Sequence, residues 1–106
     1  MTRTERERFA DILAAIQRCQ DYAAHLDSDE FGAMAYDAVL RNLAVIGEAV
    51  RALPVDTRNA MPDIPWPAIA GLRNIVIHEY FRIDKALVRD LVDNQLAVLA
   101  EAMGKR

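Results

Sequence analysis

The sequence predicts an all-α protein, an antiparallel four-helix bundle with one short extra helix, and three observations predict it. Apolar residues recur at alternating spacings of three and four over long stretches, as they do when one face of a helix turns toward a core. No stretch alternates apolar and polar with the period of two that a half-buried strand needs. All four prolines fall at positions 54, 62, 65 and 67, so the helix breakers are gathered in one connection and the rest of the chain is left to run helical.

The first helix starts at Thr4-Glu5-Arg6-Glu7, which has the form of a capping box. Phe9, Ile12, Ile16, Cys19, Ala23 and Leu26 give it one continuous apolar stripe. His25 is expected in its last turn, where an imidazolium interacts favourably with the carbonyl end of the helix dipole. Asp27-Ser28-Asp29-Glu30 resembles the opening of a calcium loop, but the glycine and the later glutamate of such a loop are missing, so it reads as a helix-to-helix turn with an N-cap.

The second helix is expected from about residue 29 to residue 53, with Tyr36, Val39, Leu43, Ile46, Val50 and Leu53 as its core stripe. Almost opposite lie Asp37, Arg41, Ala44, Val45, Glu48 and Ala52, a face too apolar to be meant only for water and a candidate partner surface. After a short helical turn over residues 56–61, Pro65 or Pro67 suits the first turn of a third long helix. That helix has Ile69, Leu72, Ile75 and Val76 toward the core and should end near Glu79 or Tyr80. Asp84 caps the last helix, whose stripe is Val88, Val92, Leu96, Leu99 and Met103, widened by Leu87 and Leu91 and ended by Gly104.

With 106 residues, 53% hydrophobic and 27% charged, residues 1–106 read as a single globular helical domain. The polar N-terminus does not resemble a signal peptide, and no apolar run approaches the roughly 18 residues of a membrane span. A cytoplasmic protein without a membrane partner is expected. The one cysteine, Cys19, lies on the apolar stripe and reads as a buried structural thiol. The net charge of −3 weighs against a broad phosphate-binding surface, so any contact with nucleic acid must be local.

Chemistry is concentrated in Gly71-Leu72-Arg73-Asn74-Ile75-Val76-Ile77-His78-Glu79-Tyr80-Phe81. In a regular helix Arg73 and Tyr80 share a face, Asn74 and His78 are close neighbours, and His78 points about 140° away from Arg73. Arg73 and His78 therefore converge only if the helix loosens at His78, or if a second protomer brings its own pair across a two-fold axis. An arginine with a histidine and no metal ligands nearby suits metal-free phosphodiester chemistry, needing no cofactor. The imidazole moves protons, and the guanidinium clamps a phosphate and stabilises charge developing on its oxygens. The plainer alternative makes Arg73 an ion-pair partner of Glu48, His78 a hydrogen-bonded helix end, and Tyr80 a core edge with its hydroxyl in water.

Arg73, His78 and Tyr80 have the spacing Arg-x4-His-x-Tyr, which resembles the motif of HepT-like toxins of the HEPN superfamily. These are small all-helical ribonucleases encoded beside a minimal nucleotidyltransferase antitoxin. Residues 41–49 (Arg-Asn-Leu-Ala-Val-Ile-Gly-Glu-Ala), Ile64-Pro65-Trp66, Gly71-Leu72-Arg73-Asn74 and His78-Glu79-Tyr80-Phe81 with Asp84 resemble family landmarks in the same order, over about the C-terminal two-thirds of the chain. The resemblance implies a homodimer whose paired Arg73 and His78 cleave RNA without metal, transfer RNA being one candidate substrate, in a type VII-like toxin–antitoxin system. It also implies that Tyr80 accepts AMP from the partner nucleotidyltransferase, which switches the toxin off. Asn74 and Glu48 match as supporting residues, and Arg41 and Arg82 would extend the phosphate contacts.

The chain is not itself the nucleotidyltransferase, since it lacks a Gly-Ser signature followed by paired aspartates. Two competing readings are a non-catalytic nucleotide-binding or scaffolding subunit of a nucleotidyltransferase complex, and a helical dimer without chemistry.

Overall fold

The computed structural model describes residues 4–104, so the first three residues of the polar N-terminus lie outside it. In chain order the helices are α1 (Glu5–Ala23), α2 (Gly32–Arg51), α3 (Val55–Asn59), α4 (Trp66–Ala70), α5 (Leu72–His78), α6 (Lys85–Asp90) and α7 (Leu96–Gly104). A 3₁₀ turn, Tyr80–Arg82, follows α5, and a π-helical segment, Leu91–Gln95, joins α6 to α7. No strand occurs among the described residues. With α4 and α5 forming one arm and α6 through α7 another, the bundle has the four expected arms, and α3 is the short extra helix.

Thr4 caps α1 by accepting the Glu7 N–H at 3.1 Å, while its hydroxyl donates to the Glu7 carboxylate at 3.1 Å. The whole predicted stripe of α1 is buried, joined by Ala15. The helix stops at Ala23, however, and the bonds from His25 N–H to Tyr22 O and from Leu26 N–H to Ala23 O tighten the chain into a turn. His25 therefore stands exposed beyond the last turn, not within it as expected. The second helix begins at Gly32, later than expected, and its N-cap, Phe31, makes no side-chain cap bond; Ser28 accepts the Phe31 N–H at 3.0 Å within the turn that precedes it.

α2 is the hub, packing against α1 and also against α4 and α5. Val39, Leu43, Ile46, Val50 and Leu53 are buried, Tyr36 is half-buried, and Leu40 adds to the core. Asn42 is a buried polar residue on the same helix, and both ends of its amide are satisfied. Its Nδ2 donates to Ala38 O at 2.8 Å, and its Oδ1 accepts from Arg18 Nε of α1 at 2.9 Å. In the proline-rich connection, the buried Trp66 donates its indole N–H to Arg58 O at 2.9 Å and Met61 O at 3.0 Å. Both carbonyls also accept backbone N–H groups, from Met61 and Ile64, so the indole adds a second bond to each and ties the connection to the start of α4.

The third arm differs from the expected unbroken helix. It is interrupted at Gly71 and ends at His78, with Pro67 in the first turn of α4. Helical bonding nevertheless passes through the interruption, from Gly71 N–H to Pro67 O and from Ile75 N–H to Gly71 O. Ile69 and Leu72 are buried as expected, whereas Ile75 and Val76 are only half-buried and Ile77 is exposed. The reason for this placement is Gly47 on α2. A Cβ there would stand 2.9 Å from Arg73 N, 3.1 Å from Ile69 O and 3.4 Å from Ala70 O, so the backbone at the α4–α5 junction rests directly on the glycine.

Asp84 caps α6 by accepting the Leu87 N–H at 2.8 Å. Val88, Val92, Leu96, Leu99, Met103 and Leu91 are buried, but Leu87 is exposed and does not widen the stripe. Val88 and Leu96 are eight residues apart and would diverge by about 80° in an α-helix. The wide π turn between them takes up roughly one residue and returns both to the core side.

Candidate active site

Arg73 stands in the first turn of α5, where the close approach to Gly47 seats the helix. Its Nε meets Glu48 Oε2 of α2 at 3.0 Å. The side chains are 42% and 64% exposed, so the pair stands in water and contributes little to stability. What the pair does fix is direction, since Glu48 meets the guanidinium at Nε.

His78 is the last residue of α5 and is exposed. The helix does not loosen before it. Glu79 N–H still bonds Ile75 O at 2.9 Å, and the backbone leaves the helical region only at Glu79, with φ −125° and ψ 25°. Within one chain Arg73 and His78 thus depart from α5 about 140° apart. Of the two ways the pair could converge, the loosened helix is not what the backbone does. Asn74 is exposed one turn before His78, and Arg82 is exposed in the 3₁₀ turn.

Tyr80 opens that turn instead of continuing α5, so it does not share a helical face with Arg73 as a regular helix would require. Nor is its hydroxyl left to water, for it donates to Asp37 Oδ1 of α2 at 2.9 Å. That hydrogen bond, followed by the charge of the same carboxylate, pushes the phenol above its ordinary ionisation range. Asp37 and Glu48 are eleven residues apart on α2, three turns and about 16 Å along one face. The segment from Arg73 to Tyr80 is therefore strapped antiparallel along α2 by one polar tie at each end. Between the ties α2 carries Arg41, Ala44 and Val45, and Val45 is 41% exposed while Ile77 of α5 is 51% exposed.

Beyond Tyr80 the chain is fixed by Tyr36, whose hydroxyl donates to Ile83 O at 2.8 Å. Burial pushes the ionisation of that phenol to higher pH, and the charges of Asp84 and Asp37 push it further the same way. An open cleft of about 710 Å³ lies here, with Tyr36, Asp37, Tyr80, Ile83, Asp84 and Lys85 in its walls. Lys85, together with Arg89, is engaged by Asp27, at 3.1 and 2.5 Å. Among the described residues no group of three or more His, Cys, Asp or Glu could hold a metal ion, and no helix is long and apolar enough to cross a membrane.

Residues 12–105 match the family described as Ribonuclease HepT-like. The chain belongs to the HepT-like ribonuclease family. It is 40% identical over 88 residues to "Putative RNase MJ0127" of Methanocaldococcus jannaschii, covering 81% of this chain and 73% of that protein. It is 33% identical over 86 residues to "Probable ribonuclease HepT" of Thermococcus cleftensis, covering 79% and 78%. No solved structure matches the chain. With membership come the all-α HEPN-like fold that the bundle displays and the enzyme class, a ribonuclease.

Sequence reasoning missed two residues that shape the site of this HepT-like chain. Spacing puts Asp37 on the polar side of α2 but does not reveal its link to Tyr80, because the two are 43 positions apart and meet only in the antiparallel register of α2 with α5. Gly47 gave a signal, a glycine inside an otherwise strong helix pattern, which commonly marks a close backbone approach.

Proposed function

We propose that this HepT-like chain is an endoribonuclease that cuts RNA without a metal, by attack of a ribose 2′-hydroxyl on the adjacent phosphorus. The observation that carries the proposal is the way Arg73 is held. Glu48 meets the guanidinium at Nε, and the side chain is 42% exposed, so its terminal edge can take two phosphate oxygens side by side. Charge that develops on those oxygens as the 2′-oxygen bond forms and the 5′-oxygen bond breaks is stabilised there. His78, exposed at the end of α5, moves the proton as general acid or base. Asn74 and Glu48 support the pair, and Arg41 and Arg82 add local phosphate contacts in a chain whose total charge is −3.

Because Arg73 and His78 diverge within one chain, the working site pairs Arg73 of one protomer with His78 of the partner subunit across a two-fold axis. The exposed Val45 and Ile77, lying between the two ties, give the α2–α5 face the apolar character such an interface uses. In this reading the protein is the toxin of a type VII-like pair, and a cognate nucleotidyltransferase silences it by placing AMP on Tyr80. The adduct brings negative charge into an anion site and competes with RNA for it.

The test is His78→Ala, expressed without any partner. Loss of RNA cleavage and of growth arrest, with an unchanged helical circular dichroism spectrum, is the expected result. Undiminished toxicity would sink the reading. A harmless wild-type chain would instead favour the scaffolding subunit, which the acidic total charge suits.

A further inference from the structure

We propose that Asp37 is the proton acceptor that makes Tyr80 a nucleophile toward a nucleoside triphosphate. This deepens the reading above and rests on Tyr80 being the acceptor of the nucleotidyl group. The geometry is direct, with the phenol oxygen 2.9 Å from Asp37 Oδ1. An ionised carboxylate can only accept, so the phenolic hydrogen lies on the Asp37 side and the oxygen lone pairs are turned away from it. Tyr80 is 41% exposed, which leaves room for a phosphate to approach the ring's outer edge.

In the step itself the Tyr80 oxygen bonds to the α-phosphorus, the bond from that phosphorus to the bridging oxygen breaks, and pyrophosphate departs. The phenolic proton passes to Asp37 Oδ1 and from there to water. A carboxylate is a far weaker base than a phenolate, with ordinary pKa values of about 4 and 10, so Asp37 takes the proton as the new bond forms and not beforehand.

The same contact determines where the adduct lies. Once modified, Tyr80 has no hydrogen to give, and its oxygen carries a charged phosphate beside the Asp37 carboxylate that the hydroxyl had bonded to. The cleft on the Ile83 side also holds Asp29 and Asp84, while its Lys85 is engaged by Asp27. The adduct is therefore repelled from the cleft and directed along α2, where Arg41 is one turn from Asp37. Modification removes the distal tie of the strap and brings the phosphate toward the cations of the proposed RNA site.

The experiment uses the full chain with its cognate nucleotidyltransferase and ATP, following intact mass under single-turnover conditions. The variants are Asp37→Asn, Asp37→Glu and Tyr80→Phe. Asparagine keeps a hydrogen-bond acceptor and so separates orientation from proton transfer. The expected result is a fall of about a hundredfold in the rate for Asp37→Asn at neutral pH, with substantial recovery in Asp37→Glu. The groups facing Tyr80 are Tyr36 and Asp37 of α2, with Asp84 and Lys85 in the same cleft wall. With Asp37 neutralised, the rate relative to wild type should climb about tenfold per pH unit between pH 7 and 9, because hydroxide replaces the lost base. A rate for Asp37→Asn within about twofold of wild type overturns the proposal. A wild-type chain that gains no mass, or a Tyr80→Phe chain that gains the same mass, overturns the acceptor reading beneath it.

Discussion

Gly47→Ala isolates the contact on which the site is built, because two effects of opposite sign compete at that position. In the middle of α2, exchanging glycine for alanine ordinarily stabilises a helix by about 0.5–1 kcal/mol. Here the new methyl group would meet Arg73 N at 2.9 Å and Ile69 O at 3.1 Å. Both are backbone atoms within helical segments, so no side chain can rotate aside and the α4–α5 junction itself must move. Overpacking of this kind costs about 1–3 kcal/mol, which outweighs the propensity gain and leaves a net loss of about 1–2 kcal/mol. For a domain of this size the melting temperature should drop by roughly 5–10 °C. Trp66 is the sole tryptophan, buried at the start of α4, so its fluorescence in urea reports directly on this junction. Gly104→Ala is the control, since its Cβ meets nothing within 4 Å. RNA cleavage by Gly47→Ala should fall even where the protein is fully folded, because the shift displaces Arg73. A variant as stable as wild type, or more so, would refute the argument that this glycine is held by close packing.

Burial pushes the Cys19 thiol up from an ordinary 9.0 to about 12. Its contribution to stability is full below pH 9 and is lost as the pH rises toward 12, and a thiol reagent at about pH 8 should react only at the rate of global unfolding. Tyr36→Phe removes the 2.8 Å bond to Ile83 O and should cost about 1 kcal/mol, read by thermal melting. The phenols of Tyr36 and Tyr80 are both raised, so the stability they lend is present below about pH 10 and lost above it, and Asp37→Asn should lower both midpoints in a spectrophotometric titration, that of Tyr80 the more. Arg73→Lys keeps a charge opposite Glu48 but loses the two-pronged edge, so cleavage should fall about a hundredfold while the melting temperature barely changes.

The elements that were legible in the sequence are those whose burial is one-sided over many turns. The stripes of α1 and α2 and the Asp84 cap were specified by local spacing alone, and the same residues are buried and bonded. The third arm was not legible in the same way. Ile75 and Val76 read as core because they are aliphatic, yet α5 is short and lies on α2 through backbone contact at Gly47, which leaves these side chains, with Ile77, at or near the surface. The end of the helix at His78 depends on Tyr80 finding Asp37, a contact that no local pattern contains. In the site, the Arg73–Glu48 pair was foreseeable as a simple ion pair, but its use of Nε was not, and that detail decides which edge of the guanidinium remains for phosphate.

The divergence of Arg73 and His78 along a regular α5 makes the shared site testable by complementation. Arg73→Ala and His78→Ala homodimers would each lack one member of every site and be inactive. In a mixed dimer whose sites are shared between protomers, one site brings the two substitutions together and the other keeps both Arg73 and His78. Random exchange makes about half of the dimers mixed, each with one intact site of two, so the mixture should recover about a quarter of wild-type RNA cleavage. If each protomer used its own pair, every site in every dimer would carry one lesion and no activity would return. Recovery should also require subunit exchange, vanishing when the two variants are assayed before they can mix. A mixture that stays inactive after complete exchange would refute the shared site, and the protein would then have to bend α5 on binding RNA to bring the two side chains together.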